Sequence, residues 1–203
     1  AHIYRNTFYG GLRGIQISEY CKDFDIYNNL FLYCNIFEAI TSDSNNYYHN
    51  SIYGGKAWVY ITTGSIFKNN IIVETDVDEY PLEIRSGATS AVTSSNCLYS
   101  TASTKRVDWG GTKYTSSDLS AWITAGHAGS IFSDPEYVLS DANDLSITSG
   151  SPVINAGVNL SIVSDFIESI RPQLDLFDMG SYEYNPAGIF ASRRATEPRF
   201  PGW

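Results

Sequence analysis

Asparagine recurs along the first half of this sequence at a near-constant interval, and each copy precedes a short apolar strand. The aligned residues are Asn6, Asn29, Asn50, Asn70 and Asn96, and they are separated by 23, 21, 20 and 26 residues. A second short strand follows in most repeats, and both strands are rich in β-branched and aromatic residues. A period in the low twenties, made of two short strands and a polar corner, predicts a β-solenoid.

Stacking of successive turns explains the pattern. In a parallel β-helix each turn lies about 4.8 Å from the previous one, so equivalent residues form columns along the axis. The asparagine amides can then donate to and accept from each other, and asparagine tolerates the left-handed backbone of a sharp corner. One predicted inward column contains Phe8, Phe31, Ile52, Ile72 and Leu98. A second contains Ile17, Ile40, Ile61 and Ile84. The alternative, turn asparagines of an antiparallel sandwich, requires no fixed period.

The repeat pattern is interrupted after Ser100. A polar, glycine-rich stretch (101–116) is expected to form a loop. A short helix should follow, with Ser116 or Ser117 as N-cap, Asp118 in its first turn and Gly126 ending it. Its apolar face would contain Leu119, Trp122 and Ile123. We expect Trp122 to cover the C-terminal end of the stack.

The division predicted from these features is a β-helix of about five turns (1–101), a helix with an irregular capping segment (102–185), and a tail (186–203). The tail is basic, proline-rich and aperiodic, so it is expected to be flexible or left from protein expression. An unpaired edge is expected at the N-terminal side, since the first residues already belong to a turn. Missing turns or an oligomer partner would cover that edge.

Composition excludes several classes of protein. The net charge of −9 argues against a nucleic-acid partner and disfavours a highly anionic polymer unless a metal ion bridges the charges. No apolar run is long enough for a membrane span. Cys21, Cys34 and Cys97 match neither a zinc motif nor a disulfide framework, although Cys21 and Cys34 lie in adjacent turns and are a candidate pair. The charged fraction of 17% is typical of secreted proteins that bind carbohydrate and also of β-solenoids in general.

The C-terminal part contains a series of short motifs. They are DPEY (134–137), DLSI (144–147), SPVINAG (151–157), RP (171–172) and DMGSYE (178–183). This series resembles the C-terminal signature of secreted right-handed parallel β-helix proteins of the pectate-lyase-like superfamily. The resemblance implies an all-β, right-handed parallel β-helix and a secreted or cell-surface location. It says little about the reaction, and the acids Asp178 and Glu183 are interpreted as partners of backbone amides or of Arg171.

The outward side of the second strand would form a shallow groove suited to a polymer. Glu83 and Arg85 are the candidate catalytic residues on this face, and Glu38 is expected near it. Tyr60 and Trp58 are candidates for stacking on a sugar ring, and Asp43 is a further substrate-binding candidate. A solvated face with a cross-strand ion pair is the simpler alternative.

The residues of this face meet the requirements of lyases and glycosidases only in part. Lyases of the chondroitinase B kind, which the sequence resembles around Glu38, carry a lysine where this chain has Asp43. A glycosidase needs two carboxyl groups about 5–10 Å apart, which Glu38, Asp43 or Glu83 would have to supply. No metal site or cofactor is predicted firmly, although the run Asp76–Glu79 is a candidate for loose Ca²⁺ binding.

The sequence therefore predicts a secreted carbohydrate-active β-helix protein with a polysaccharide as its partner. If the protein is an enzyme, it is a polysaccharide lyase or a glycoside hydrolase. The alternative is a non-catalytic module that binds carbohydrate or serves as an adhesin, phage or surface component.

Overall fold

A computed structural model describes residues 1–39, 42–60, 64–85, 91–139 and 144–186. The predicted column members Ile40 and Ile61 lie outside the described residues, as does the tail beyond residue 186. The described chain is mostly β-structure with one short helix. The first strands are β1 (His2–Tyr4), β2 (Thr7–Tyr9), β3 (Arg13–Ile17), β4 (Asp25–Tyr27), β5 (Leu30–Leu32), β6 (Asn35–Glu38), β7 (Asn46–Tyr48), β8 (Ser51–Tyr53) and β9 (Ala57–Val59). The remaining elements are β10 (Ile66–Lys68), β11 (Ile71–Glu74), β12 (Leu82–Ile84), β13 (Val92–Ser94), β14 (Cys97–Ser100), β15 (Lys105–Trp109), β16 (Thr112–Thr115), α1 (Leu119–Thr124), β17 (Tyr137–Leu139) and β18 (Asp144–Ile147).

The strands form three parallel sheets, which confirms the predicted parallel β-helix. The first sheet has the order β1-β4-β7-β10-β13, and the second has the order β14-β11-β8-β5-β2. The third has the order β16-β15-β12-β9-β6-β3, in which only β16 is antiparallel. Each row of the stack thus contributes three strands rather than the expected two, because the residues just before each asparagine form a strand of their own.

The inward column after the asparagines is confirmed by the register of the second sheet. Phe8 pairs with Phe31, Phe31 with Ile52, and the series continues through Ile72 to Leu98. The last four of these side chains are at most 1% exposed. Burial of large apolar side chains at every row supplies the main driving force for stacking.

The asparagines form the predicted ladder. The side-chain amide of each donates to the Oδ1 of the next, over 3.2 Å at the first step and 3.0 Å at the other three. The residue with left-handed backbone is the one before each asparagine, as at Asn28, His49 and Asn69. The sequence predicted the left-handed backbone at the ladder asparagine itself. In the structure, one residue adopts the left-handed backbone, and the asparagine that follows it forms the ladder hydrogen bonds.

The stretch predicted to be a loop after Ser100 forms strands instead. β15 pairs in parallel with β12, so the third sheet gains a further row, and a tight turn at Gly110 and Gly111 leads into β16. The glycines, which suggested a loop, supply the left-handed conformations of this turn.

The helix α1 closes the C-terminal end of the core, as predicted. Trp122 is fully buried and contacts Trp109, Tyr114 and His127. Asp118, rather than a serine, occupies the N-cap position, and its carboxylate accepts hydrogen bonds from Thr115 instead of from the helix.

The C-terminal segment, defined here as residues 130–186, lies along the outer face of the second sheet rather than over the end of the stack. It begins beside Cys97, reaches the second row, where the carbonyl of Ser164 accepts a hydrogen bond from Asn28, and returns to Ser51. Val153 and its neighbours form turns. The apolar outer face of the second sheet is thereby covered.

A buried ionic cluster fixes this segment to the solenoid. Arg171 forms an ion pair with Glu183 and donates to Asn28 of the second row. Asp178 accepts hydrogen bonds from the backbone of Asn155 and Tyr184. Burial raises the pKa of Glu183 to about 7, although the charge of Arg171 opposes the shift. These acids have the structural partners that the sequence suggested.

The three cysteines are all free. The candidate pair of Cys21 and Cys34 is therefore wrong. Cys97 is fully buried, as expected, and burial raises the pKa of its thiol above the ordinary range.

Candidate functional site

The third sheet presents a column of outward side chains, one from each row. The register places in this column Gln16, Phe37, Trp58, Glu83 and Asp108. Lys56, Tyr60 and Arg85 flank the column, and together these eight residues are called the third-sheet face. Because the C-terminal segment packs against the second sheet, the side chains of the described third-sheet face remain at least partly exposed, except for Lys56.

Trp58 lies at the centre of this face with charged and aromatic neighbours on several sides. The ring of Phe37 meets it edge-on at 5.4 Å between centroids, and Tyr60 lies at 6.4 Å. Lys56 Nζ lies 4.7 Å and the guanidinium carbon of Arg85 lies 5.4 Å from its ring centroid. These contacts hold the indole ring in place before any ligand arrives.

Lys56 links the charges of the face. Its ammonium group contacts Glu79 and lies 3.1 Å from a carboxylate oxygen of Glu83. The other oxygen of Glu83 lies 2.9 Å from Arg85. Glu83 is therefore held between two cations, and Arg85, with a half-exposed side chain, remains available to solvent.

The environment of Lys56 determines its charge. Burial acts to lower the pKa of Lys56, but hydrogen bonds and charges from Glu79 and Glu83 outweigh burial, so the pKa is raised. The lysine therefore stays protonated. A protonated amine cannot abstract a proton, so Lys56 does not suit the role of the base in a lyase.

The structure brings together four of the predicted site residues: Trp58, Tyr60, Glu83 and Arg85. Glu38 is a correction, because its side chain points into the core and not onto the outer face. It occupies the inward column between Ile17 and Val59 and is fully buried. The sequence placed Glu38 near the face without a clean register for this row, and in the structure β6 ends at Glu38 in register with the inward Val59.

Within the core, Glu38 has polar neighbours. Its Oε1 accepts hydrogen bonds from Ser42 at 2.9 Å, Asn45 at 2.8 Å and Ser65 at 2.7 Å. Its Oε2 is buried with no partner among the described residues. Burial raises the pKa of Glu38 despite these donors, which favours the neutral acid. A carboxyl group enclosed in this way cannot reach a polymer on the surface.

Asp43 is also displaced from the expected face. Its backbone pairs with the strand-like segment around Lys22, where Asp43 N donates to Cys21 O and Asp43 O accepts from Asp23 N. This segment joins the third sheet to the first, so Asp43 lies beyond the corner from Trp58.

The acidic run 76–79 serves local structure. Asp76 accepts a hydrogen bond from the backbone of Asp78, Glu79 pairs with Lys56, and Asp78 lies 3.9 Å from Lys105. Within the described ranges, no three histidine, cysteine, aspartate or glutamate side chains converge on a position that could hold a metal ion.

Sequence reasoning missed Lys56 and Phe37, which complete the face. Both follow from the register: Phe37 and Trp58 are paired directly in neighbouring strands, and Lys56 precedes β9. The signal available was Tyr53-Gly54-Gly55, which matches Tyr9-Gly10-Gly11 and shows that the third strand begins soon after the glycines.

His49 and His127 are packing residues. His49 is buried and accepts a hydrogen bond from Asn69, and burial together with the charge of Arg171 lowers its pKa well below the ordinary value. His127 stacks on Trp122 and lies 2.7 Å from the hydroxyl of Thr93.

Two concavities lie away from this face. One of about 360 Å³ is lined by residues of the C-terminal segment, including Ile147 and Tyr184. One of about 160 Å³ lies between the second sheet and residues 134–137. The third-sheet face is an open surface, which suits an extended polymer better than a small enclosed ligand.

Comparisons with protein-family models, curated proteins and solved structures found no match to this chain. Among the residues that the structure describes, no helix has the length and apolar character needed to cross a membrane.

Proposed function

We propose that this protein binds a neutral polysaccharide along the third-sheet face without cleaving it. The observation that carries the proposal is the position of Trp58, whose ring is partly exposed at the centre of an open parallel sheet and is held by Lys56, Arg85 and Phe37. Aromatic rings offer apolar surface to the C–H faces of sugar rings, and fixing them in advance reduces the entropic cost of binding.

The polar groups of the face complement a chain of hydroxyl groups. Glu83 accepts hydrogen bonds and the half-exposed Arg85 donates them, and both belong to the row next to Trp58. A neutral chain also agrees with the net charge of −9, since an anionic polymer would meet overall repulsion.

Binding is favoured over catalysis by the way the charges are paired. Glu79 and Glu83 share the ammonium group of Lys56, so neither faces the open surface as a lone carboxyl. Glu38 lies in the core. Asp108 lies next to Glu83 in the same column, but its Oδ1 accepts the backbone N–H of Gly111, and Glu83 is held between Lys56 and Arg85. This pairing does not suit the two carboxyl roles of a glycosidase, and the described face has no neutral amine for a lyase.

The broader assignment follows from the sequence motifs. The series from Asp134 to Glu183 supports membership of the pectate-lyase-like superfamily and a secreted or cell-surface location. The parallel β-helix agrees with that superfamily at the level of fold.

The test is native gel electrophoresis in gels that contain single polysaccharides, both neutral (glucans, mannans, xylans) and anionic (alginate, polygalacturonate), with and without Ca²⁺. At least one neutral polysaccharide should retard the wild-type protein. Trp58→Ala should weaken that retardation about tenfold, as expected from loss of a ring contact worth about 1.5 kcal/mol. Tyr4→Ala, an exposed aromatic residue on the first sheet, is the matched control and should behave like wild type.

Several results would count against the proposal. Equal loss in Trp58→Ala and Tyr4→Ala would place binding elsewhere, and retardation only by anionic chains would reject the substrate class. Release of reducing ends or of unsaturated uronates during incubation would show that the protein cleaves its ligand. Absence of retardation by every polymer would favour a purely structural module.

A further inference from the structure

A small cavity lies between the second sheet and the C-terminal segment, separate from the third-sheet face. Its volume is about 160 Å³. We call it the tyrosine cavity, and its lining comprises Tyr53, Val73, Tyr99, Thr101, Asp134, Pro135, Glu136 and Tyr137. The proposal for the third-sheet face makes no use of any of these residues.

Three tyrosine rings shape the cavity, and each is fixed by its neighbours. Tyr53 and Tyr99 flank Val73 in one outward column of the second sheet. Tyr137 comes from the C-terminal segment and meets Tyr53 edge-on at 6.4 Å. Behind Tyr99 the guanidinium of Arg106 lies 5.0 Å from the ring centroid, and Arg106 is only 4% exposed. The rings are thus positioned before a ligand enters.

Polar groups of the lining have unused hydrogen-bonding capacity. Asp134 uses Oδ1 to accept the backbone N–H of Glu136 at 2.8 Å, and Glu136 uses Oε2 to accept the hydroxyl of Thr148 at 3.0 Å. Within the described part of the chain, the second oxygen of each carboxylate accepts no hydrogen bond. Asp134 and Glu136 are both exposed, so these second oxygens are accessible to the hydroxyl groups of a ligand that enters the cavity from solvent.

We propose that the tyrosine cavity binds one neutral sugar residue, such as the end of a glycan chain. A sugar ring offers apolar C–H faces to the tyrosines and hydroxyl donors to Asp134 and Glu136. Two carboxylates in the lining repel an anionic ligand. A volume of about 160 Å³ suits a single sugar ring and not a continuous polymer, in contrast to the open third-sheet face. The chain then has two carbohydrate sites of different kinds on different sheets.

The test is saturation-transfer NMR with a panel of neutral methyl glycosides (glucoside, galactoside, mannoside, rhamnoside and N-acetylglucosaminide). At least one should receive saturation from the wild-type protein. The double variant Asp134→Asn/Glu136→Gln should bind that glycoside at least tenfold more weakly. Its thermal midpoint should stay unchanged, because both amide side chains retain an oxygen to accept from residue 136 N–H and from Thr148. Trp58→Ala should bind the glycoside as wild type does.

Each opposite result would overturn the proposal. Unaltered binding by the double variant would place the sugar outside the cavity, and loss of binding in Trp58→Ala would assign it to the third-sheet face. A requirement for Ca²⁺ would mean that the carboxylates hold a cation rather than sugar hydroxyls. A panel in which no glycoside receives saturation would reject the site. Failure of polysaccharide binding at Trp58 would leave this result unaffected, because the two sites share no residue.

Discussion

Asn50 donates its side-chain amide to Oδ1 of Asn70, 3.0 Å away in the following row, while its own Oδ1 accepts the amide of Asn29 at 3.0 Å. The same two oxygens also accept backbone N–H groups, from Asn50 at 3.0 Å and from Asn29 at 3.1 Å. Each interior asparagine therefore joins three rows of the stack. The ladder fixes the register of the rows as directly as the apolar columns do.

Asn50→Ala should destabilise the protein by about 3 kcal/mol or more, because several buried groups of Asn29 and Asn70 lose their partners. Urea denaturation followed by circular dichroism measures this change. Asn6→Ala is the control: Asn6 ends the described ladder and donates to Asn29, but accepts from no other ladder asparagine. If the two variants lost similar free energies of unfolding, the ladder hydrogen bonds would contribute no more to stability than an ordinary corner residue does.

The sequence predicted the parallel solenoid and the second-sheet column correctly because the asparagine corner and the residue two positions later keep a fixed relationship in every row. The third sheet was harder. The number of residues between the asparagine and the third strand differs between rows, so periodicity could not register the second row. The sequence placed Glu38 near the outer face, whereas its side chain points inward, where three hydrogen-bond donors stabilise it.

The course of the C-terminal segment could not be predicted for a related reason. Its contacts depend on outward side chains of the left-handed corner residues, such as Asn28 and Asn69, which bond to Ser164 and Val158. These contacts join residues far apart in sequence and follow no period. The motifs predicted backbone amides or Arg171 as partners of Glu183, but they did not predict that Arg171 would reach the second row.

Glu38→Gln should make stability less dependent on pH. Burial raises the pKa of Glu38 in the folded state above its ordinary 4.5, so the stability due to its neutral form is full below about pH 4.5 and is lost as pH rises through the folded pKa. The glutamine variant keeps an acceptor for the donors and carries no charge. At mildly alkaline pH it should be more stable than the wild type, whereas below about pH 4.5 this advantage should disappear.

Urea denaturation of both proteins across this pH range measures the difference between them. In both proteins, ionisation of Glu183 lowers the stability as pH rises, because burial raises the pKa of Glu183 to about 7. The difference therefore isolates Glu38. A constant difference across the range would mean that Glu38 is ionised in the fold.

Arg171→Met should cost about 3–5 kcal/mol, since it leaves Glu183 buried without its cation. The C-terminal segment should also become more sensitive to limited proteolysis. Lys105→Met removes an exposed pair with Asp78 and should cost less than about 1 kcal/mol. If the two variants had equal midpoints and digestion rates, the buried pair would not be what holds the segment.

Trp122→Ala should lower the free energy of unfolding by about 3–5 kcal/mol, because it leaves a cavity at the end of the core next to Trp109 and His127. Ile123→Ala, in the same helix but at a 40% exposed position, should cost far less. Thermal unfolding of the pair provides the comparison. A loss confined to Ile123→Ala would mean that α1 packs through its other face.

Trp58 is the residue that we propose makes the central contact with a polysaccharide. The sequence contains four tryptophans, and their indole N–H signals can be followed by NMR during a titration with a polysaccharide that retards the protein in gels, with Trp58 assigned from Trp58→Phe. We predict that the Trp58 signal shifts or broadens in a saturable way while the signal of the buried Trp122 stays in place. A titration that leaves the Trp58 signal unchanged while the polysaccharide binds would contradict the third-sheet face as the binding surface.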